Sequence, residues 1–97
     1  MSKYVLLSRF TQQGMQTIKD GPERLATARK MLEGLGARIQ DFYLVMGQYD
    51  AVVVVEAPDD ETIAKASIAI GAVGNVRLET LRAFDENEYE RLIDALP

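Results

Sequence analysis

Apolar positions along the chain change rhythm in a way that separates strands from helices. From Lys3 to Phe10, Val5 and Leu7 fall on one side and Tyr4, Leu6 and Phe10 on the other, so strand one is apolar on both faces, with Ser8 and Arg9 as its polar exceptions. Thr11 to Gly14 reads as a polar connection, and Met15 to Lys19 as an irregular or single-turn segment. Asp20-Gly21-Pro22-Glu23 then marks a helix start: Asp20 suits the N-cap, Pro22 the first turn, and Glu23 sits three residues after the cap. Leu25, Ala28, Leu32 and Leu35 recur at helical spacing, and Gly34 or Gly36 supplies the left-handed stop.

Ala37 to Met46 predicts strand two, with Phe42, Leu44 and Met46 on one face and Ile39, Tyr43 and Val45 on the other. A hairpin at Gly47 leads into strand three, Ala51 to Ala57, whose four successive valines predict burial on both faces. Asp59 caps a second helix with inner residues Ile63, Ala66, Ile70 and Val73; Gly71 is expected to allow close packing, and Gly74 is the stop. Asn75 to Ala83 is strand four, with Val76, Leu78 and Thr80 alternating against Arg77, Glu79 and Leu81. Asp85 caps a short terminal helix carrying Tyr89, Leu92, Ile93 and Leu96 at i, i+3, i+4 and i+7.

The order β-α-β-β-α-β plus a terminal helix predicts a ferredoxin-like plait of the α+β class. Its four-stranded antiparallel sheet has the order 4-1-3-2, with two helices on one face and a short C-terminal helix. Strands one and three are central in that topology and are also the two most apolar. Two helices cover one sheet face only, so the other exposes residues from the set Val5, Leu7, Val52, Val54 and Tyr43, or their alternates. A patch of that size marks an interface, and a homodimer or higher homo-oligomer with sheets meeting face to face is the expected closure. The terminal helix then covers an edge or clasps the partner; the alternative is that it covers the open face within one chain.

Composition narrows the chemistry. Ninety-seven residues, 47% hydrophobic and 27% charged, fit one globular domain over residues 1–97. The N-terminus shows no signal-peptide pattern and the longest apolar run, Ala51 to Val55, is far too short to span a bilayer, so a cytoplasmic protein with no membrane association is expected. A net charge of −4 with no basic run argues against nucleic acid as a partner. Cys and His are both absent, which removes thiolate nucleophiles, imidazole bases and Cys/His metal sites; no carboxylate metal motif is present, and no cofactor is expected.

Met46-Gly47-Gln48-Tyr49-Asp50, the valine run, and Glu56-Ala57-Pro58-Asp59-Asp60-Glu61 resemble the GYD domain family, small proteins of uncharacterised function. Thr11, Gln13 and Gly14, Arg24, and Gly74-Asn75-Val76-Arg77 match the same pattern. The Gly, Tyr and Asp that name the family fall on Gly47, Tyr49 and Asp50. The resemblance implies an α/β plait that oligomerises, and supplies no activity. A weaker similarity runs to dimeric α/β-barrel monooxygenases and to the small-molecule-binding domain of feast/famine regulators.

Candidate binding residues are Tyr49, Asp50, Gly47, Thr11, Gln13 and Arg24; no catalytic residue is identified. Gly47 supplies a positive φ or a bulge. Tyr49 either presents its phenol to a ligand or anchors the hairpin, and Asp50 is a pocket carboxylate, a turn cap, or an ion-pair partner of Arg24 or Arg77. Thr11, Gln12 and Gln13 line a pocket mouth or are solvated loop. Arg24, unfavourably placed near a helix N-terminus, is expected to pair with an acid or meet an anion. Tyr4, Ser8, Tyr43 and Arg82 are candidates to face a cavity. The function expected is a homo-oligomeric module that binds a small molecule or only assembles. The alternatives are a cofactor-free oxygenase or isomerase with a pocket between sheet and helices, and an effector-binding accessory subunit.

Overall fold

A computed structural model describes all residues, Met1–Pro97. Strand β1 (Ser2–Phe10) leads into a short helix α1 (Gln12–Gln16), a 3-10 turn (Ile18–Asp20) and helix α2 (Gly21–Gly34). Strands β2 (Arg38–Leu44) and β3 (Ala51–Ala57) form the hairpin, and helix α3 (Asp60–Val73), strand β4 (Val76–Ala83) and helix α4 (Glu86–Asp94) complete the chain. The sheet is antiparallel throughout, ordered β2-β3-β1-β4, which counted from the β4 edge is 4-1-3-2.

Register decides which side chains are inside. Tyr4, Leu6 and Ser8 stand opposite Val55, Val53 and Ala51, and these share a face with Arg82, Thr80 and Leu78 of β4. Tyr4, Leu6, Val53, Val55 and Ala57 join Leu32 of α2 and Ile63 and Ala66 of α3 in one buried cluster. Both long helices therefore cover the same side of the sheet. The opposite side carries Val5, Leu7, Val52 and Val54 in the centre, with Leu81 on β4 and Tyr43 on β2. That is the set expected on an uncovered face, and the register now assigns it. Strand β3 is accordingly buried on one face only: its residues alternate between buried and half-buried.

Several local expectations are corrected. A bulge between Ile39 and Asp41 breaks the alternation of β2, so Ile39 faces inward with Phe42 and Leu44 instead of outward with Tyr43. The segment after β1 is helical, because the Thr11 hydroxyl caps α1 by accepting from Gly14 N–H at 3.1 Å. Asp20 makes no side-chain cap, since the 3-10 turn runs directly into α2 and leaves Asp20 in a helical conformation. Leu35 and Val73, the last residues of their stripes, lie at helix ends and are exposed. No atom approaches within 4 Å of the Cβ position of Gly71, so it serves no close contact. The caps on Asp59 and Asp85 do form, the latter as a reciprocal capping box with Glu88. No helix is long and apolar enough to cross a membrane.

Candidate functional site

The candidate residues gather at one end of the sheet, where β1 ends, the β2–β3 hairpin turns and β4 begins. Gly47 turns the hairpin with φ of +117°, a value that disfavours any side chain. The hairpin closes through Val45 N–H donating to Asp50 C=O at 2.9 Å. Asp50 then ties it to β1: its N–H donates to Ser8 C=O at 2.8 Å, and its carboxylate accepts from Phe10 N–H at 2.9 Å. It pairs with neither Arg24 nor Arg77. The ladder between β1 and β3 stops at Ser8 and Ala51, and the Asp50 carboxylate supplies an acceptor beyond that last pair.

Tyr49 lies across the open sheet face. Its phenol donates to Glu79 at 2.6 Å, and the Arg9 guanidinium sits 4.7 Å from the ring centroid. Arg9 also donates to Gln48 C=O at 3.0 Å. The hydrogen bond that the phenol donates to the Glu79 carboxylate, with some desolvation, raises its pKa above the ordinary value.

Thr11, Gln13 and Arg24 are occupied in holding α1. Thr11 N–H donates to Asn75 C=O at 3.1 Å, and its hydroxyl donates to Gly74 C=O at 2.5 Å. The Gln13 amide donates to Val73 C=O and to the Asn75 side chain, each at 3.1 Å. Gly14 is buried against Asn75 so closely that a Cβ would overlap the Asn75 carbonyl. Arg24 does not pair with an acid. It donates to the carbonyls of Thr17 at 2.9 Å and Gly14 at 3.2 Å, answering the negative end of α1.

Tyr4, Ser8 and Arg82 face the helices, whereas Tyr43 points to the open side, so the four do not converge. At the end of the sheet remote from the hairpin, the buried Tyr4 phenol donates to Asp60 at 2.5 Å. Burial first, then that acceptor, raises its pKa. Arg82 stacks on Phe84, pairs with Glu88 at 3.3 Å and donates to Ala83 C=O. On the open side, Arg38 binds Glu56 at 2.6 Å and holds its carboxyl below the usual range. Sequence reasoning missed Arg9, Glu79 and Asp60 as partners. Residue spacing shows that Arg9 and Glu79 share a face with Tyr49 only once strand register is known.

Two surface depressions are shallow. One, about 380 Å³, runs between α3 and β4 along Ser67, Ile68, Gly71, Val76, Arg77 and Leu78. The other, about 170 Å³, is lined by Phe84, Glu88, Arg91 and Leu92. None of the six candidate residues lines either. The larger feature is the open sheet face itself, which leaves Leu81 at 42% and Tyr43 at 57% exposure. Helix α4 makes no extensive contact with any strand or helix, and Tyr89, Leu92, Ile93 and Leu96 are all exposed.

Overall dimensions carry the same message. The radius of gyration is 14.6 Å, against about 12.5 Å for a compact domain of this length. The chain exposes 6648 Å², roughly 1,100 Å² more than the ~5,500 Å² typical of a monomer of its mass.

A curated relative from Thermus thermophilus, named glutamine synthetase and cystathionine beta-lyase binding protein, is 38% identical over 84 residues, covering 86% of this chain and 88% of its own. The crystal structure of TTHA0845 from the same organism superposes with a TM-score of 0.56 at 25% identity, over 88% of this chain and 95% of that one. The crystal structure of FFRP-DM1 gives a TM-score of 0.59 at 18% identity, over 87% and 100%, and shares the fold. The GYD domain profile matches residues 4–93, from the buried Tyr4 into α4, and the chain belongs to the GYD domain family.

Proposed function

We propose that this chain is a cytoplasmic binding or accessory module, one ferredoxin-like domain over residues 1–97, that works as a homo-oligomer. The observation that carries the reading is the uncovered apolar sheet face, with Val5, Leu7, Val52, Val54, Leu81 and Tyr43 side by side and no element of the chain to cover them. The ~1,100 Å² of surface above the monomer norm exceeds the roughly 800 Å² that each partner hides in a standard interface.

The engagement of Tyr49, Asp50 and Arg24 by other groups of the protein favours this reading over a cofactor-free enzyme, which needs polar groups aimed into an apolar pocket. In the assembled module we assign Tyr49 to the contact surface. Gly47, Asp50, Thr11, Gln13 and Arg24 act by fixing the end of the sheet on which any bound molecule rests. The relative's name points to a metabolic enzyme as the binding partner, recognised by the assembled module.

Light scattering over a range of concentrations tests the reading. The unmodified chain is expected to be a dimer or larger, and Leu7→Asp a folded monomer, since Leu7 now lies on the open face and not in the core. A well-folded monomer for the unmodified chain overturns the proposal.

A further inference from the structure

Two groups of like charge, opposite in sign, are left without an ion-pair partner inside the chain. Arg9 and Arg77 stand directly opposite each other on β1 and β4, on the open face at the hairpin end. Like charges in that relation destabilise a sheet. Arg77 makes no ion pair or side-chain hydrogen bond, and Arg9 is bound to no carboxylate. On α4, Glu86, Glu90 and Asp94 fall at i, i+4 and i+8, a carboxylate row beside the apolar stripe of Tyr89, Leu92, Ile93 and Leu96. That spacing also costs an isolated helix stability, and none of the three has an ion-pair partner. Each charged group borders an unpartnered apolar surface: the open sheet in one case, the α4 stripe in the other.

Symmetry restricts how the two can meet. Two sheets stacked face to face by a twofold axis have two simple arrangements. An axis parallel to the strands lays β4 of one protomer over β2 of the other without exchanging strand ends. The partner's α4 then arrives near the start of β2, where Arg38 is already bound to Glu56 and Asp41 adds negative charge. An axis across the strands lays β4 over β4 with ends exchanged. The partner's α4 then arrives at the start of β4, beside Arg77 and Arg9.

We propose that α4 docks on a second copy of this chain at the hairpin end of its open face, its carboxylate row meeting Arg77 and Arg9, with the twofold axis running across the strands. The inference rests on the homo-oligomer reading above. Both like-charge groups are neutralised, and the projecting helix gains the contact that its own chain withholds. Within one chain the two groups cannot reach each other: Arg77 and Ala83 alone are separated by about 20 Å of strand.

Charge exchange tests the placement, read as the dimer dissociation constant by sedimentation or light scattering. Arg77→Glu is expected to weaken the dimer about tenfold or more, and the weakening is expected to shrink at high salt. Adding Glu86→Arg and Glu90→Arg to Arg77→Glu is expected to restore most of the loss, a rescue that damage confined to the monomer does not show. Arg38→Glu is expected to leave the constant nearly unchanged. An unmodified chain that is monomeric overturns the homo-oligomer reading itself. A dimer indifferent to Arg77→Glu, or weakened but not rescued by the α4 substitutions, overturns the docking while leaving the homo-oligomer standing. A dimer sensitive to Arg38→Glu and rescued from α4 overturns the axis in favour of the other arrangement.

Discussion

Replacing Gly14 with alanine separates two opposed effects of known sign. Inside a helix, Gly→Ala ordinarily stabilises by about 0.5–1 kcal/mol, because glycine loses more backbone freedom on folding. Here the added Cβ overlaps the Asn75 carbonyl oxygen and lies 2.9 Å from the carbonyl carbon. Both are main chain and cannot rotate away. Relief requires α1 to lift off the Gly74–Asn75 turn. That motion stretches the Thr11 bonds to Asn75 C=O and Gly74 C=O and the Gln13 bonds to Val73 C=O and the Asn75 side chain.

At 0.5–1.5 kcal/mol each, partial loss of these bonds costs about 2–4 kcal/mol. Subtracting the propensity gain leaves a net loss of about 1–3 kcal/mol, or roughly 5–20 °C in Tm for a chain of this size. Urea unfolding followed by circular dichroism at one fixed protein concentration measures the difference. The comparison is Gly71→Ala in α3, where nothing lies within 4 Å, and a gain of about 0.5–1 kcal/mol is expected. If Gly14→Ala proves as stable as the parent or more so, α1 is not clamped on the turn and the structural reading of Thr11 and Gln13 is wrong.

Asp50→Ala removes the acceptor for Phe10 N–H and is expected to cost about 1–3 kcal/mol, while Asp50→Asn, which retains an acceptor oxygen, costs less; equal losses in chemical denaturation would show that the bond is not what Asp50 contributes. Tyr4 titrates above its ordinary value in the folded chain, so its contribution is fully present below the unfolded tyrosine pKa of about 10 and is lost as pH rises through the folded value. Tyr4→Phe is expected to cost about 1 kcal/mol at neutral pH and to flatten the alkaline end of the stability profile; an unaltered alkaline slope refutes the assignment. Asp59 is shifted the other way by Thr62, whose hydroxyl and N–H both donate to it. Its contribution is present above the unfolded carboxyl pKa and disappears as pH falls through the folded one, so Asp59→Asn is expected to lessen the acid loss of stability, measured by the same titration in mildly acidic buffers.

Strands and long helices were legible because their periods are imposed by burial on one side. The alternation of Val76 and Leu78 with Arg77 and Glu79 in β4 and the 3-4 spacing of Leu25, Ala28 and Leu32 in α2 are direct records of the face each element hides. What escaped was whatever depends on a non-local partner. The bulge near Gln40 reverses Ile39 relative to Tyr43, and only the β3 register reveals it. Thr11 to Gly14 looks like loop in isolation because its helix is short and is held by Gly74 and Asn75, some sixty residues away. Arg24 was legible as an anomaly, a cation at a helix start, but its answer is the carbonyl end of α1, an element that the sequence pattern does not announce. The valine run misled in a definite way: four apolar residues in succession are buried on both faces only if something covers the second face, and within one chain nothing does.

The motif bears on that uncovered face through strand register. Gly47 and Asp50 are spent on local geometry, one setting a backbone angle and the other extending a ladder, and Tyr49 is engaged by Arg9 and Glu79. A hairpin fixed in this way holds β3 in register with β1 over seven pairs. Register in turn decides that Val52 and Val54 stand beside Leu7 and Val5 on the open side; a slip of one residue would turn them into the core and expose Val53 and Val55. The hairpin therefore acts on the open face at a distance: it determines which apolar residues stand there. Loosening the hairpin with Asp50→Ala is expected to weaken association as well as stability, whereas Gly14→Ala, which loosens α1 from the Gly74–Asn75 turn and leaves the β1–β3 register intact, is expected to lower stability with a smaller effect on assembly. Measuring the dimer constant alongside unfolding for both variants decides it, and equal effects on association would break the link between the motif and the face.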